Sequence, residues 1–170
     1  MHGAEHTAQS PPCTSLIHAS CAAWNGQGVL LTGASGSGKS SLLLRLVDAG
    51  FALVADDRVE LRGGEACAPP ALAGLMEIRG LGIVSMPSLP RCRIRLHVEL
   101  DSETPPERLP RSALHVASGA WSIRLDAFHA DAVSIIRTAL HCAEGRYTLV
   151  CGVNGGTAFS KPLPFGTEED

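Results

Sequence analysis

A chain of 170 residues is long enough for one domain around a single core. Its composition, 45% apolar and 18% charged, is that of a globular protein and excludes a disordered one. A net charge of −3 gives no reason to expect nucleic acid or an anionic membrane as a partner. Six cysteines without a C-x-x-C pair suggest neither a zinc site nor a disulfide framework, so reduced thiols and a cytoplasmic location are expected.

Residues 1–13 read as a loose leader without the basic start or apolar stretch of a signal peptide. His2 and His6 could share a helical face for a metal, but a frayed terminus is the plainer account. No Asp, Glu, Lys or Arg occurs from His6 to Gly38, yet Pro11, Pro12, Asn25 and Gln27 interrupt the stretch, so no membrane span is expected. "SLIHASCAAW" (15–24) reads as one strand, "NGQG" (25–28) as a hairpin turn and "VLLT" (29–32) as a short apolar strand. "KSSLLLRLVDA" (39–49) has helical content and Gly50 stands where a helix-ending glycine belongs. "FALVADD" (51–57) is a further apolar strand, ending in two carboxylates.

Beyond it, 58–70 predicts a hairpin about a Gly-Gly turn, and the glycine-punctuated 74–87 a loop-rich segment. "RCRIRLHVEL" (91–100) alternates at period two, as a half-exposed strand does, which would put Arg91, Arg93 and Arg95 on one face. That face would meet either solvent or an acidic partner. A proline-rich connection (101–110) leads to two short strands about a Gly turn (113–126) and an amphipathic helix (130–143). One domain over 14–160 and a flexible tail over 161–170 are expected.

The chemistry concentrates in "GASGSGKSS", which has the spacing G-x-x-x-x-G-K-S of a phosphate-binding loop. Gly33, Ala34, Ser35, Gly36, Ser37 and Gly38 would turn backbone N–H groups toward phosphate oxygens, and the new helix adds its positive end. Lys39 would reach the β- and γ-phosphates of ATP, and the Ser40 hydroxyl, next to Ser41, would ligate Mg2+. Asp56-Asp57 then supplies one carboxylate for the metal and one to take a proton from an attacking hydroxyl. A polar turn is the alternative.

"GASGSGKSSLLLRLVDAGFALVADDRVEL" followed by "EIRGLGI" resembles the catalytic domain of HPr kinase/phosphorylase, in the short form without the N-terminal domain of long members. The resemblance is good over 16–86 and weak after it. It implies an α/β P-loop fold of the HPr kinase / PEP carboxykinase-like type, with a strand-rich sheet and few helices. It also implies a cytoplasmic, Mg2+- and ATP-dependent kinase acting on a serine of the phosphocarrier HPr, with phosphorolysis as a second activity and hexamers common. By match, Asp56 is the general base, Asp57 assists at the metal, and His18 lies near the reacting phosphate. Glu77 helps to hold Mg2+, and Arg79, Gly80 and Gly82 face the partner protein. The sequence departs from the family at Ser41, where an acidic residue is usual, and in lacking the arginine-rich loop near the domain's end. Arg124 is the nearest substitute for that loop, or simply an exposed strand arginine. Two other readings stay open: a nucleotide-binding regulator with little turnover, and a small-molecule kinase on the same scaffold.

Overall fold

The computed structural model describes residues 14–156. The expected leader, with His2 and His6, and the expected tail over 161–170 lie outside the described residues. The chain opens with β1 (Ser15–His18), β2 (Ser20–Trp24) and β3 (Gln27–Gly33). Between β2 and β3, Asn25 (φ 49°) and Gly26 (φ 79°) form the two-residue hairpin turn that an Asn-Gly pair favours. Helix α1 (Lys39–Asp48) follows, then β4 (Ala52–Ala55), β5 (Arg58–Arg62) and β6 (Glu65–Cys67). The hairpin β7 (Leu75–Ile78) and β8 (Gly82–Ser85), the long β9 (Arg91–Leu100), β10 (Trp121–Leu125) and α2 (Ala132–Ala143) complete it.

The single strand expected over 15–24 is broken at Ala19, and the break is what creates the site. β1 pairs with β5, whereas β2 pairs with β3 and β4. Opposite the break, the Asp56-Asp57 pair joins β4 to β5 with Asp57 at φ 66°. The Ala19 N–H donates to the Asp57 carbonyl at 3.2 Å, so both ribbons turn at one corner. The main sheet runs β1-β5-β6-β9-β3-β2-β4, with β10 added parallel to β9. Because β1 leads into β2 and β4 into β5 at that corner, the two ends of the sheet curl toward each other.

The curl makes two cores. Val29 and Leu31 of β3 face the helices with Leu96, Val98 and Leu100 of β9; Leu30 faces the inside of the curl with Cys21, Val54, Val59 and Ile94. Residues 94 and 96 of one strand serve opposite faces because the register with β3 slips between Gly28–Ile94 and Val29–Leu96, leaving Arg95 as an extra residue. Such a bulge reverses the side-chain alternation. Arg91 and Arg93 therefore do not continue through Arg95 as one uninterrupted stripe, contrary to the period-two reading.

Helix α1 buries Lys39, Leu42, Leu43 and Leu46, the i, i+3, i+4, i+7 face that turns leucine content into a packed helix. Its end is a Schellman motif: Phe51 N–H donates to the Leu46 carbonyl and Gly50 N–H to that of Val47, both at 3.0 Å, with Gly50 at φ 98°. Helix α2 buries Ile136 and Leu140 beside it, and Arg137 reaches the Ala49 carbonyl at 2.7 Å while stacking over Trp24.

Two further expectations are corrected. Residues 74–87 form a β-hairpin rather than loop, since the glycines Gly80 and Gly82 (φ 85° and 128°) serve the turn instead of interrupting the strands. Of the two short strands in 113–126, only β10 forms, and Leu114 contributes an isolated bridge to Trp121. On β9, His97 is held by Thr32 Oγ1 and Ser122 Oγ at 2.7 Å each and stacks on His115 at 4.3 Å. Burial, then the neighbouring His115, lowers its pKa to about 4. The folded value lies below the unfolded one, so this stabilisation is complete above pH about 6.5 and lost as pH falls toward 4. His97→Gln should remove part of the acid sensitivity, roughly 1–2 kcal/mol after allowance for the ring's partial exposure, in urea midpoints at pH 7 and 4.5.

Candidate active site

The apolar run of β3 ends at Gly33, where the chain leaves the sheet and winds into α1. A side chain at Gly33 (φ 148°) would meet the Leu100 carbonyl at 2.7 Å, and one at Gly38 (φ 93°) would meet Ala127 Cβ at 2.8 Å. Only glycine fits at either place, which is why the loop's spacing is legible from residue types. The first intrahelical bond runs from Leu42 N–H to the Gly38 carbonyl, leaving the N–H groups of Lys39, Ser40 and Ser41 without helical partners. Together with the helix dipole they form an anion-binding end. Lys39 Nζ donates to the carbonyls of Gly33 and Ala34, both at 2.9 Å. Burial lowers its pKa, while Asp57 and Asp56 oppose that shift. Ser37 Oγ is buried without a protein partner, a further donor inside the loop.

The corner sets two adjacent carboxylates in opposite surroundings. Asp56 is 8% exposed, and its Oδ1 accepts from Ser20 Oγ at 2.9 Å and Ser40 Oγ at 2.8 Å. Both donors share one oxygen, and among the described residues none reaches Oδ2. Asp57, its side chain 62% exposed, pairs with His18 Nε2 at 2.7 Å and lies 3.6 Å from Arg58 Nε. One carboxylate is thus locked against the phosphate loop and the other faces outward to a histidine.

A cavity of about 670 Å³, within the range that holds a small-molecule ligand, unites these elements. Ser35, Gly36, Gly38, Lys39, Ser40 and Ser41 line it from the loop and α1. His18, Asp56 and Asp57 line it from the corner, and Glu77 and Arg79 from the β7–β8 hairpin. Gly33, Ala34 and Ser37 shape the loop without lining the cavity, and Gly80 and Gly82 sit at the hairpin turn beside the exposed Leu81 and Ile83. Arg124 does not line it; it pairs with Glu99 at 3.2 Å on the sheet.

Sequence reasoning missed two residues. Ser20 is fully buried and donates to Asp56; its signal was a lone hydroxyl, two places beyond His18, in an apolar segment. Ser20→Ala should cost about 1.5–3 kcal/mol in urea unfolding, the worth of a bond to a charged acceptor. Phe128 lines the cavity from the loop before α2 and nothing in its sequence surroundings marks it.

The oxygen-only set of Ser40, Asp57 and Glu77 is hard-donor chemistry and fits Mg2+ rather than a softer metal. Among the described residues no three His, Cys, Asp or Glu side chains form a cage for a metal. Mg2+ needs none, since it is usually held by one or two carboxylates together with substrate phosphates. The unpartnered Ser37 hydroxyl and the free N–H groups of the loop equally fit a polyphosphate.

A family model described as the HPr Serine kinase C-terminal domain matches residues 12–111. An HPr kinase/phosphorylase of Geobacillus thermodenitrificans (strain NG80-2) is 40% identical over 113 residues, covering 59% of this chain and 37% of that protein. That of Limosilactobacillus reuteri (strain DSM 20016) is 42% identical over 99 residues, covering 51% and 31%. The chain thus spans about a third of the length of the curated relatives it matches. Among solved structures, the HPr(Ser) kinase/phosphatase from Coxiella burnetii superposes with a TM-score of 0.65 at 24% identity, over 78% of this chain and 97% of that one, a likeness of fold. Among the described residues no helix is long and apolar enough to cross a membrane.

Proposed function

The chain belongs to the HPr serine kinase C-terminal domain family, and from that membership and the geometry of its cavity we propose an ATP-dependent protein kinase whose acceptor is a serine of an HPr-type phosphocarrier. The observation that carries the proposal is Asp56, a buried carboxylate that lines the cavity, is bonded through Oδ1 to the phosphate-loop Ser40, and has no donor on Oδ2 among the described residues. A group so placed takes a proton beside a transferring phosphoryl group, which a simple nucleotide-binding protein does not require.

In this reading Lys39 and the loop N–H groups hold the phosphates. The acceptor serine Oγ attacks the γ-phosphorus, the bond to the β–γ bridging oxygen breaks, and the serine proton passes to Asp56 Oδ2. Phosphorolysis runs in the opposite sense with inorganic phosphate in place of ADP. A phosphate oxygen attacks the phosphoserine phosphorus, the bond to serine Oγ breaks, and protonated Asp56 gives its proton to that Oγ as pyrophosphate forms. Ser40, Asp57 and Glu77 would hold Mg2+, which would supply neutralisation of the phosphate charge. His18 orients Asp57 and lies at the reacting end. Arg79, Gly80 and Gly82 meet the protein acceptor, and the exposed Leu81 and Ile83 beside them favour a protein over a small-molecule acceptor.

The test mixes the full chain with Mg2+, γ-labelled ATP and HPr from the same organism. Label on an HPr serine is the expected result. Bound ATP without transfer would leave a nucleotide-dependent regulator instead.

A further inference from the structure

Phe128 is 61% exposed, an unusual degree for a phenylalanine whose backbone is so firmly held. Its N–H donates to Asp126 Oδ1 at 2.9 Å, and His129 N–H to the Asp126 carbonyl at 3.2 Å. From α1, Arg45 donates to the carbonyls on either side of it, Ala127 and His129. The segment is therefore a fixed shelf, and Phe128 is its only large apolar side chain.

The shelf adjoins the phosphate loop. A Cβ on Gly38 would lie 2.9 Å from Phe128 Cζ, so the ring's far edge rests where that glycine has no side chain. Among the described residues Phe128 is also the only Phe, Tyr or Trp lining the cavity. An aromatic face held rigid and exposed beside a polyphosphate cradle suits a flat, π-rich group attached to that polyphosphate.

We propose that Phe128 is the stacking platform for the nucleobase of the bound nucleotide. This rests on the nucleotide-binding reading of the cavity given above. Stacking reads no base edge, so ATP and GTP should bind within a few fold of each other. Arg45 is then a positioning residue, fixing the shelf through its two carbonyl contacts.

The test measures binding of ATP, GTP and inorganic tripolyphosphate, each with Mg2+, by calorimetry on the full chain and on Phe128→Ala and Phe128→Trp. Loss of one stacked base corresponds to roughly 5- to 150-fold weaker binding. Phe128→Ala should therefore weaken both nucleotides by that factor and leave tripolyphosphate unchanged, while Phe128→Trp restores the nucleotides. Equal weakening of all three ligands would overturn the proposal, making the ring a support of the loop. Unchanged nucleotide binding would overturn it too. A wild-type protein that binds tripolyphosphate but gains nothing from the base would defeat the stacking alone. One that binds none of the three would overturn the nucleotide reading and this inference with it.

Discussion

Asp56→Asn is expected to lower phosphoryl transfer to the acceptor serine by about 10²–10⁴-fold while ATP binding stays within a few fold. The substitution separates two jobs of one side chain. Asparagine keeps an Oδ1 that accepts from Ser20 and Ser40, so the corner and the start of α1 keep their bonds. What it loses is Oδ2 as a proton acceptor, together with one negative charge near the phosphates. Removing that charge cannot weaken an anionic ligand, so the loss falls on kcat. Asp56→Ala is a poorer probe, because it strands the fully buried Ser20 hydroxyl and costs about 1–3 kcal/mol of stability as well. Single-turnover transfer and a thermal melt on the asparagine variant decide the matter. Wild-type transfer rates would mean that the serine proton leaves by another route, and the role given to Asp56 would be wrong.

What could be read from the sequence follows the range over which each feature is determined. The loop and α1 were legible because their constraints are local: Gly33 and Gly38 have no room for a Cβ, and the leucines of α1 repeat at helical spacing. Asn25-Gly26 and Gly63-Gly64 likewise signalled their turns through residues that tolerate positive φ. The break at Ala19 was not legible, since it depends on β1 choosing β5 while β2 chooses β3 and β4. No Gly, Pro, Asn or Asp within 15–24 marks a break between the two halves. The same holds for β9, where the apolar pattern is continuous and only the parallel pairing with β3 reveals the slip at Arg95. The segment 74–87 reads as loop because glycine ordinarily interrupts strands, although here Gly80 sits in the turn of a hairpin. The candidate site divides in the same way. Lys39, Ser40 and the Asp pair were found by motif, and His18 and Glu77 by resemblance; the cavity brings all of them together. Ser20 and Phe128 were missed because each acts through a partner distant in sequence, Asp56 for one and Gly38 for the other.

Lys39→Met carries the second large effect: nucleotide binding should weaken by about 100-fold or more with the fold intact. The side chain is 6% exposed, and its aliphatic stem is part of the buried face of α1. Methionine has similar length and keeps that apolar contact. The ammonium at the tip now bonds the Gly33 and Ala34 carbonyls, two groups of an accessible loop that water can satisfy once the charge is gone. Stability should therefore change little. The phosphates would have no such substitute, since bonds between a charged donor and an anion are worth about 1.5–3 kcal/mol each and the proposed role of Lys39 covers both the β- and γ-positions. Arginine is not a rescue: its planar fork is too wide for a position that closes on two carbonyls of the same tight loop. Calorimetry with ATP and with tripolyphosphate should show the same loss for both, because the amine reads only the phosphates. Nucleotide binding within threefold of wild type would mean that the loop holds no phosphate, and the kinase reading would go with it.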